Sequence, residues 1–348
     1  MSGDAHVVGV IGLGMASRPH ARSLVELQAR GRVRVKACWS RSAERRDAFA
    51  DAWGLPTVAE AEAILDDPDI RTVLLITPPD ARAAWLEALA ARGKHVLMEK
   101  PVERTSVAAR ALVEHAERAG IRLGIVFQQR FRDASLALAD RVRDGALGPL
   151  ATVRVEVPWW REQAYYDEPG RGTLARDGGG VLISQAIHSL DLMLALAGPV
   201  DEVCATATTT PLHDMECEDA VGAGLRFSSG AVGSLFATTA AWPGGAETLH
   251  LAGTLGSATL AAGELRIDYR DGRTESIGES GGSGGGSDPM AFPHDWHLRI
   301  IEDFLDAVEA DREPTVTGRG SLAVHALIDA LLISSRERRH VRPEDCLA

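Results

Sequence analysis

Three features of this 348-residue chain could together move a hydride and a proton. A glycine pair, Gly12-Leu13-Gly14, follows the first apolar run. Lys100 closes the run Gly93-Lys94-His95-Val96-Leu97-Met98-Glu99-Lys100-Pro101. His188 lies in Ser184-Gln185-Ala186-Ile187-His188-Ser189-Leu190-Asp191, shortly after Gly178-Gly179-Gly180. A glycine turn that opens a helix suits a dinucleotide. Gly12 permits a tight turn, Gly14 lets the backbone approach a pyrophosphate, and the helix N-terminus attracts its charge. Met15 and Ala16 complete the turn, and Ser17 stands where a third small residue is usual. An ammonium near a reacting oxygen stabilises alkoxide charge or relays its proton. A neutral imidazole accepts a proton from a hydroxyl. The chemistry implied is exchange of a hydride and a proton between a cofactor and an alcohol.

The elements that must position these residues alternate through the first third. Val7 to Ile11 reads as a buried strand, Ser17 to Arg30 as a helix stopped at Gly31, and Val33 to Trp39 as a second strand. Ser42 can cap the next helix, with Glu44 in its first turn. Thr72 to Ile76 is a strand ended by Thr77-Pro78-Pro79, and Asp80 to Arg92 has a helical period. Val96 to Met98 is a strand, Ser106 to Ala119 a helix stopped at Gly120, and Ile121 to Phe127 a strand. Repeated βα units predict a doubly wound parallel sheet over residues 1–127. From 128 to 348 the pattern changes. A helix from Ser135 to Asp144 precedes seven β-rich stretches between Ala151 and Tyr269. That spacing predicts an antiparallel or mixed sheet. Gly281 to Ser287 reads as a flexible loop, and Trp296 to Ala310 and Ser321 to Ser335 as helices.

The second strand ends in Trp39-Ser40-Arg41-Ser42, with a hydroxyl and a guanidinium where a ribose-binding carboxylate would select NAD(H). Arginine binds phosphate bidentately, so Ser40 and Arg41 favour NADP(H) over NAD(H). Trp160, Arg161, Tyr166 and Arg171 lie between a strand and the glycine run. They read either as a sugar-binding surface of aromatic faces and guanidinium donors or as an interface cluster. Gln185 reads as a substrate-hydroxyl ligand or a turn cap, and Asp191 as structural. His294 and His297 lack further ligands at metal spacing, so no metal is expected.

The formal net charge of −12 argues against nucleic-acid and anionic-membrane partners. Four scattered cysteines without CxxC spacing suggest neither zinc nor a disulfide framework. Met1 to Asp4 and the short apolar run after them give no signal core, so a soluble cytoplasmic protein is expected.

Gly12-Leu13-Gly14-Met15-Ala16, Thr77-Pro78-Pro79, Glu99-Lys100-Pro101 and Gly178-Gly179-Gly180 leading to His188-Ser189-Leu190-Asp191 together resemble the Gfo/Idh/MocA family over almost the whole chain. The resemblance implies a Rossmann domain, then a larger α/β domain with a large open mixed or antiparallel sheet that carries the interface of a homodimer or homotetramer. It implies nicotinamide-dependent redox chemistry on a polyhydroxylated substrate, a cyclic sugar, inositol or related polyol. It places Thr77, Pro78, Glu99 and Lys100 at the cofactor, Lys100 and His188 in catalysis, and Arg130, where the chain passes the nicotinamide, among the substrate-binding residues with Ser184 and Gln185. The Lys100-Pro101 bond is expected to be cis. Two departures stand out. Ser184 occupies a position where many members have an aspartate, one helical turn before His188, and Arg82 replaces a histidine after the Thr-Pro motif. The resemblance also admits a redox-assisted glycosidase. A catalytically silent cofactor-binding sensor or scaffold is a further alternative, and the Ser184 departure favours it.

Overall fold

The computed structural model describes residues 5–278 and 292–347. The Gly/Ser stretch 281–287 lies outside them. The chain divides into two compact units. The first comprises Met1–Glu103, Ala108–Gln128 and Pro293–Ser321, and the second Arg104–Val107, Gln129–Phe292 and Leu322–Ala348.

The first unit alternates β1 (His6–Ile11), α1 (Ser17–Ala29), β2 (Val33–Trp39), α2 (Ala43–Trp53), α3 (Glu62–Leu65), β3 (Thr72–Leu75), α4 (Arg82–Ala90), β4 (His95–Glu99), α5 (Ser106–Arg118) and β5 (Leu123–Val126). The strands pair in parallel in the order β2-β1-β3-β4-β5. Every residue of β3 and β5 is buried. Both faces of the sheet are therefore covered, which is why these strands read as unbroken apolar runs. Ser42 caps α2 as its type predicts, accepting the Arg45 N–H. The helix expected from Asp80 begins instead as a 3₁₀ turn, Pro79–Ala81, and becomes α-helical only at Arg82. Pro79 keeps Pro78 extended, at ψ 156°, so no helical turn starts before it.

The second unit contains α6 (Asp133–Arg143), β6 (Leu150–Pro158), α7 (Gln163–Tyr166), α8 (Ile187–Ala197), β7 (Val200–Thr208), β8 (Ala220–Phe227), β9 (Val232–Thr238), β10 (Thr248–Gly253), β11 (Gly256–Ala261), β12 (Glu264–Tyr269) and β13 (Thr274–Ile277). Its eight strands run β13-β12-β11-β10-β6-β9-β8-β7. β6 and β9 are parallel and the other pairs antiparallel. Val153, Val155 and Val157 of β6 face the core, with α8 packed against that strand. On the other face Val232 and Phe236 of β9 are exposed at 57% and 49%. The chain ends with α9 (Asp295–Glu309) and α10 (Gly318–Glu337). Helix α9 packs on α1, β4 and β5, which is how Pro293–Ser321 joins the first unit.

Candidate active site

In the first unit the glycine turn is built as its spacing requires. Gly12 has φ +104°, and a Cβ there would sit 2.6 Å from the carbonyl carbon and oxygen of Ile76. Only glycine lets the end of β1 lie so close to the end of β3. A Cβ at Gly14 would meet nothing within 4 Å, so open space borders that backbone. The α1 N-terminus beyond it has no side-chain cap, and Met15 is exposed at 37%. Ala16 is the helix's first flanking residue. At the end of β3 Thr77 Oγ1 is buried without a hydrogen-bond partner among the described residues. An open cradle before a helix N-terminus and an orphaned hydroxyl suit a dinucleotide, whose pyrophosphate would lie against that backbone and whose polar groups would partner Thr77 Oγ1. Pro78 follows Thr77 and Pro79 begins the 3₁₀ turn.

At the end of β2, Ser40 is buried and Arg41 is exposed. Arg46 donates to the Ser40 carbonyl at 2.7 Å and the Arg41 carbonyl at 3.3 Å, bracing the loop. The segment from Trp39 to Ser42 contains no carboxylate.

Lys100 follows β4, and its bond to Pro101 is cis. Its N–H donates to Glu99 Oε2 at 3.0 Å, and its carbonyl accepts from Arg82 Nη2 at 3.2 Å. Glu99 Oε1 lies 2.8 Å from His20 Nε2. The His20 ring meets the His297 ring edge-on with centroids 4.8 Å apart. Burial pushes the Glu99 carboxyl up, but the His20 hydrogen bond and nearby positive charge outweigh it and hold it at about 2. Burial, reinforced by His20, pushes His297 down to about 3. His297 is thus uncharged near neutral pH, and Glu99 stays ionised beneath Lys100. Single ligand atoms of His20, Glu99 and His297 lie within 4.8 Å of one another. Sequence spacing could not show this, because His20 and His297 sit on α1 and α9. The His20 nitrogen facing Glu99 is already spent on the carboxylate.

In the second unit His188 belongs to the first turn of α8 and is buried. The preceding turn, Leu182–Ala186, is π-helical. Ser184, half-buried, and Gln185, buried, sit in that turn. Such wide turns occur mostly as single insertions and often at functional sites. Glu218 anchors the start, its carboxylate accepting the Gly180 and Leu182 N–H groups, both at 3.1 Å. A Cβ on Gly180 would fall 1.8 Å from the Glu218 backbone oxygen, which explains the glycine there.

Gln185 Nε2 donates to the Tyr165 hydroxyl at 3.4 Å, while Gln185 Oε1 is buried without a partner among the described residues. Arg171 donates to the same hydroxyl at 2.8 Å and lies over the Tyr165 ring at 4.2 Å. Arg161 sits over the Trp159 and Tyr165 rings and donates to the Trp160 carbonyl. Gln185, Arg161 and Arg171 are therefore brought together, around Tyr165. Tyr166 is turned inward, its hydroxyl 2.6 Å from Thr239 Oγ1. Trp160 bonds Glu162 and packs edge-on against exposed Trp242. Arg130 makes a two-pronged ion pair with buried Asp191, both contacts 2.6 Å, which commits two of its nitrogens to α8. Residues missed by sequence reading are Glu218 and the buried pair His213–Asp219. That pair bonds at 2.7 Å and supports the Arg161 carbonyl.

The comparisons with known proteins match this division. Residues 7–127 match the oxidoreductase family's NAD-binding Rossmann fold. Residues 135–259 match the GFO/IDH/MocA C-terminal domain. This chain belongs to the Gfo/Idh/MocA oxidoreductases. As such it is a nicotinamide-dependent dehydrogenase or reductase. The inositol 2-dehydrogenase of Rhizobium meliloti (strain 1021) is 26% identical over 96% of this chain and 98% of its own length. A D-xylose 1-dehydrogenase (NADP(+)) of Haloferax volcanii is 28% identical over 94% of this chain and 96% of its own. Among solved structures, the WlbA dehydrogenase of Bordetella pertussis, in complex with NADH and UDP-GlcNAcA, superimposes with TM-score 0.80. It is 26% identical, covering 96% of this chain and 98% of that one. For this Gfo/Idh/MocA oxidoreductase, no helix among the described residues is long and apolar enough to cross a membrane.

Proposed function

We propose that the protein transfers a hydride between a nicotinamide cofactor and a CH–OH/C=O group of a cyclic sugar, inositol or related polyol. The bound cofactor supplies the hydride acceptor or donor. Residues 1–127 hold it, and residues 128–348 carry substrate binding and self-association. The observation that carries the reading is one sheet end that bears the open glycine cradle after β1, the orphaned Thr77 hydroxyl after β3 and the braced Lys100 after β4. The Lys100 ammonium stabilises charge on the reacting oxygen, and His188 takes or returns its proton. Gln185 Oε1, buried and unpartnered, accepts a substrate hydroxyl. Tyr165 and Arg171 hold the Gln185 amide from behind. The name of the xylose relative and the sugar-nucleotide complex of WlbA support a polyhydroxylated substrate.

Exposed Arg41 and the lack of a carboxylate at the end of β2 favour NADP(H). Arg41→Ala should weaken NADP(H) binding by about 1–3 kcal/mol and leave NAD(H) nearly unchanged. Equal affinity of the unmutated protein for both cofactors, by fluorescence titration, would count against this preference. The exposed Val232 and Phe236 support a homodimer or homotetramer built on the open sheet face. The activity itself is tested by incubating the protein with NADP⁺ or NAD⁺ and a panel containing myo-inositol, D-xylose, D-glucose and levoglucosan. Reduced nicotinamide is followed by absorbance. Growth of that band with at least one sugar is expected, and a flat signal across the panel in both redox directions would overturn the reading.

A further inference from the structure

We propose that Arg82 is a positioning residue for Lys100, holding the backbone on which the ammonium is mounted. The inference rests on the dehydrogenase reading above, through the role given there to Lys100. Arg82 heads α4 and is 2% exposed. Its Nε and Nη2 donate to the Thr77 carbonyl at 3.0 and 2.8 Å. Nη2 also reaches the Lys100 carbonyl at 3.2 Å. Thr77 lies beyond β3 and Lys100 beyond β4, and these strands are neighbours whose last ladder pair is Leu75 with Met98. One guanidinium thus ties the two strand ends together past the point where the sheet's own hydrogen bonds stop.

The other side of the Lys100 backbone is held too. Its N–H donates to Glu99 Oε2, and Glu99 Oε1 is fixed by His20. Both backbone polar groups of Lys100 are therefore bound to buried side-chain charges of opposite sign. This arrangement is costly. Burial pulls the Arg82 guanidinium down to about 10, against the supporting charges of Glu99, Glu103 and Asp80. Arg82 Nη1 has no hydrogen-bond partner among the described residues. For stability alone an apolar side chain of similar volume would often serve as well or better. What arginine adds is a rigid planar fork that grips the Thr77 carbonyl through two nitrogens while reaching the Lys100 carbonyl, a fixed two-pronged geometry that a lysine's point charge does not reproduce. Rigidity there is useful, because a misplacement of about 1 Å in a reacting group can cost on the order of a hundredfold in rate.

The test compares Arg82→Met and Arg82→Lys with the unmutated protein. kcat and KM are measured with the best sugar of the panel, and the NADPH dissociation constant by fluorescence. Lys36, Lys94 and Lys100 are the chain's three lysines, so ¹³C reductive dimethylation gives a spectrum in which Lys100 is assigned by its loss in Lys100→Arg. Arg82→Met should lower kcat about tenfold or more with KM and NADPH binding within about twofold, and should displace the Lys100 resonance. Arg82→Lys should recover part of kcat, and it decides on the same readouts if Arg82→Met does not fold. An unmoved Lys100 resonance in a folded variant would overturn the proposal, whether activity is retained or falls along with Tm and cofactor binding. If the unmutated protein turns over no sugar, the dehydrogenase reading fails, and the resonance alone decides the role of Arg82.

Discussion

Lys100 and His188 are seated by different means. Around Lys100 the first unit uses buried charge, with Arg82 on the carbonyl, Glu99 on the N–H, and His20 on Glu99. Around His188 the second unit adds backbone geometry to buried charge, a π-helical turn started by a glycine that nothing larger could replace and pinned by the Glu218 carboxylate. Charge fixes one geometry, as suits a residue serving the same cofactor chemistry in every turnover. A wide turn with an unpartnered Gln185 oxygen leaves groups to be satisfied by whatever substrate arrives. The difference teaches that one unit holds its candidate residue by saturated polar contacts and the other leaves an acceptor open beside it.

The sharpest way to break this comparison is to delete each residue. Lys100→Ala and His188→Ala should each lower turnover by about two orders of magnitude or more while sparing cofactor binding. Steady-state kinetics beside NADPH titration checks both. Near-normal turnover in either variant removes that residue from the proton chemistry.

Next in size is a contrast between two glycines. Gly180→Ala forces a Cβ to within 1.8 Å of the Glu218 oxygen, whereas Gly14→Ala meets open space. Gly180→Ala should cost about 1–3 kcal/mol in urea unfolding. Gly14→Ala should stay within about 0.5 kcal/mol, yet weaken cofactor binding by crowding the cradle. Equal stability losses would mean that the His188 seat is not built on this close approach.

The two units should also part in acid. His297, facing His20, Glu99 and His294, has its folded-state value held at about 3 against an ordinary 6.5. The fold favours the neutral ring. Its contribution is complete above pH 6.5 and is lost progressively as pH falls from there toward 3. In the second unit burial raises the Asp191 and Glu218 carboxyls, so the folded state takes up those protons first and acid does not cost it stability through them. Urea unfolding between pH 7 and 5 should show a loss of up to about 1.4 kcal/mol per pH unit from His297. His297→Gln should flatten that slope, and an unchanged slope would place the acid sensitivity elsewhere.

The legibility of the sequence cut across this divide. β3, β4 and β5 were readable because a parallel strand buried on both faces is a continuous apolar run, and Gly12 because a tight βα turn leaves few alternatives. The short β13 was missed because four residues, Thr274-Glu275-Ser276-Ile277, carry too little pattern. The charge network beneath Lys100 was illegible for another reason. His20, Arg82, Glu99 and His297 lie on four elements, and only the folded sheet and the return of α9 bring them together. Tyr165 and Tyr166 are adjacent on a four-residue helix. Tertiary contact, the Thr239 hydroxyl for one and Arg171 with Gln185 for the other, decides which ring lines the polar cluster.

The smallest expected effect concerns Ser184. A carboxylate near an imidazole favours its protonated form and raises the pH at which it takes up a proton. In a regular helix residues four apart share a face. Here Ser184 lies within the π-turn and His188 just after it, so the wider turn rotates the two positions partly out of line. Ser184→Asp should therefore move the acid limb of kcat/KM to higher pH by a fraction of a unit, less than a carboxylate one regular turn away would produce. Gln185 offers a control in the same turn, because Gln185→Glu places a carboxylate at the neighbouring position behind Tyr165. If Ser184→Asp leaves the profile superimposable while Gln185→Glu shifts it, the π-turn has aimed position 185 rather than 184 at the reacting proton. The aspartate found in many relatives would then have no counterpart to restore in this chain. If both profiles superimpose on the unmutated one, His188 loses the proton role and Lys100 carries it alone.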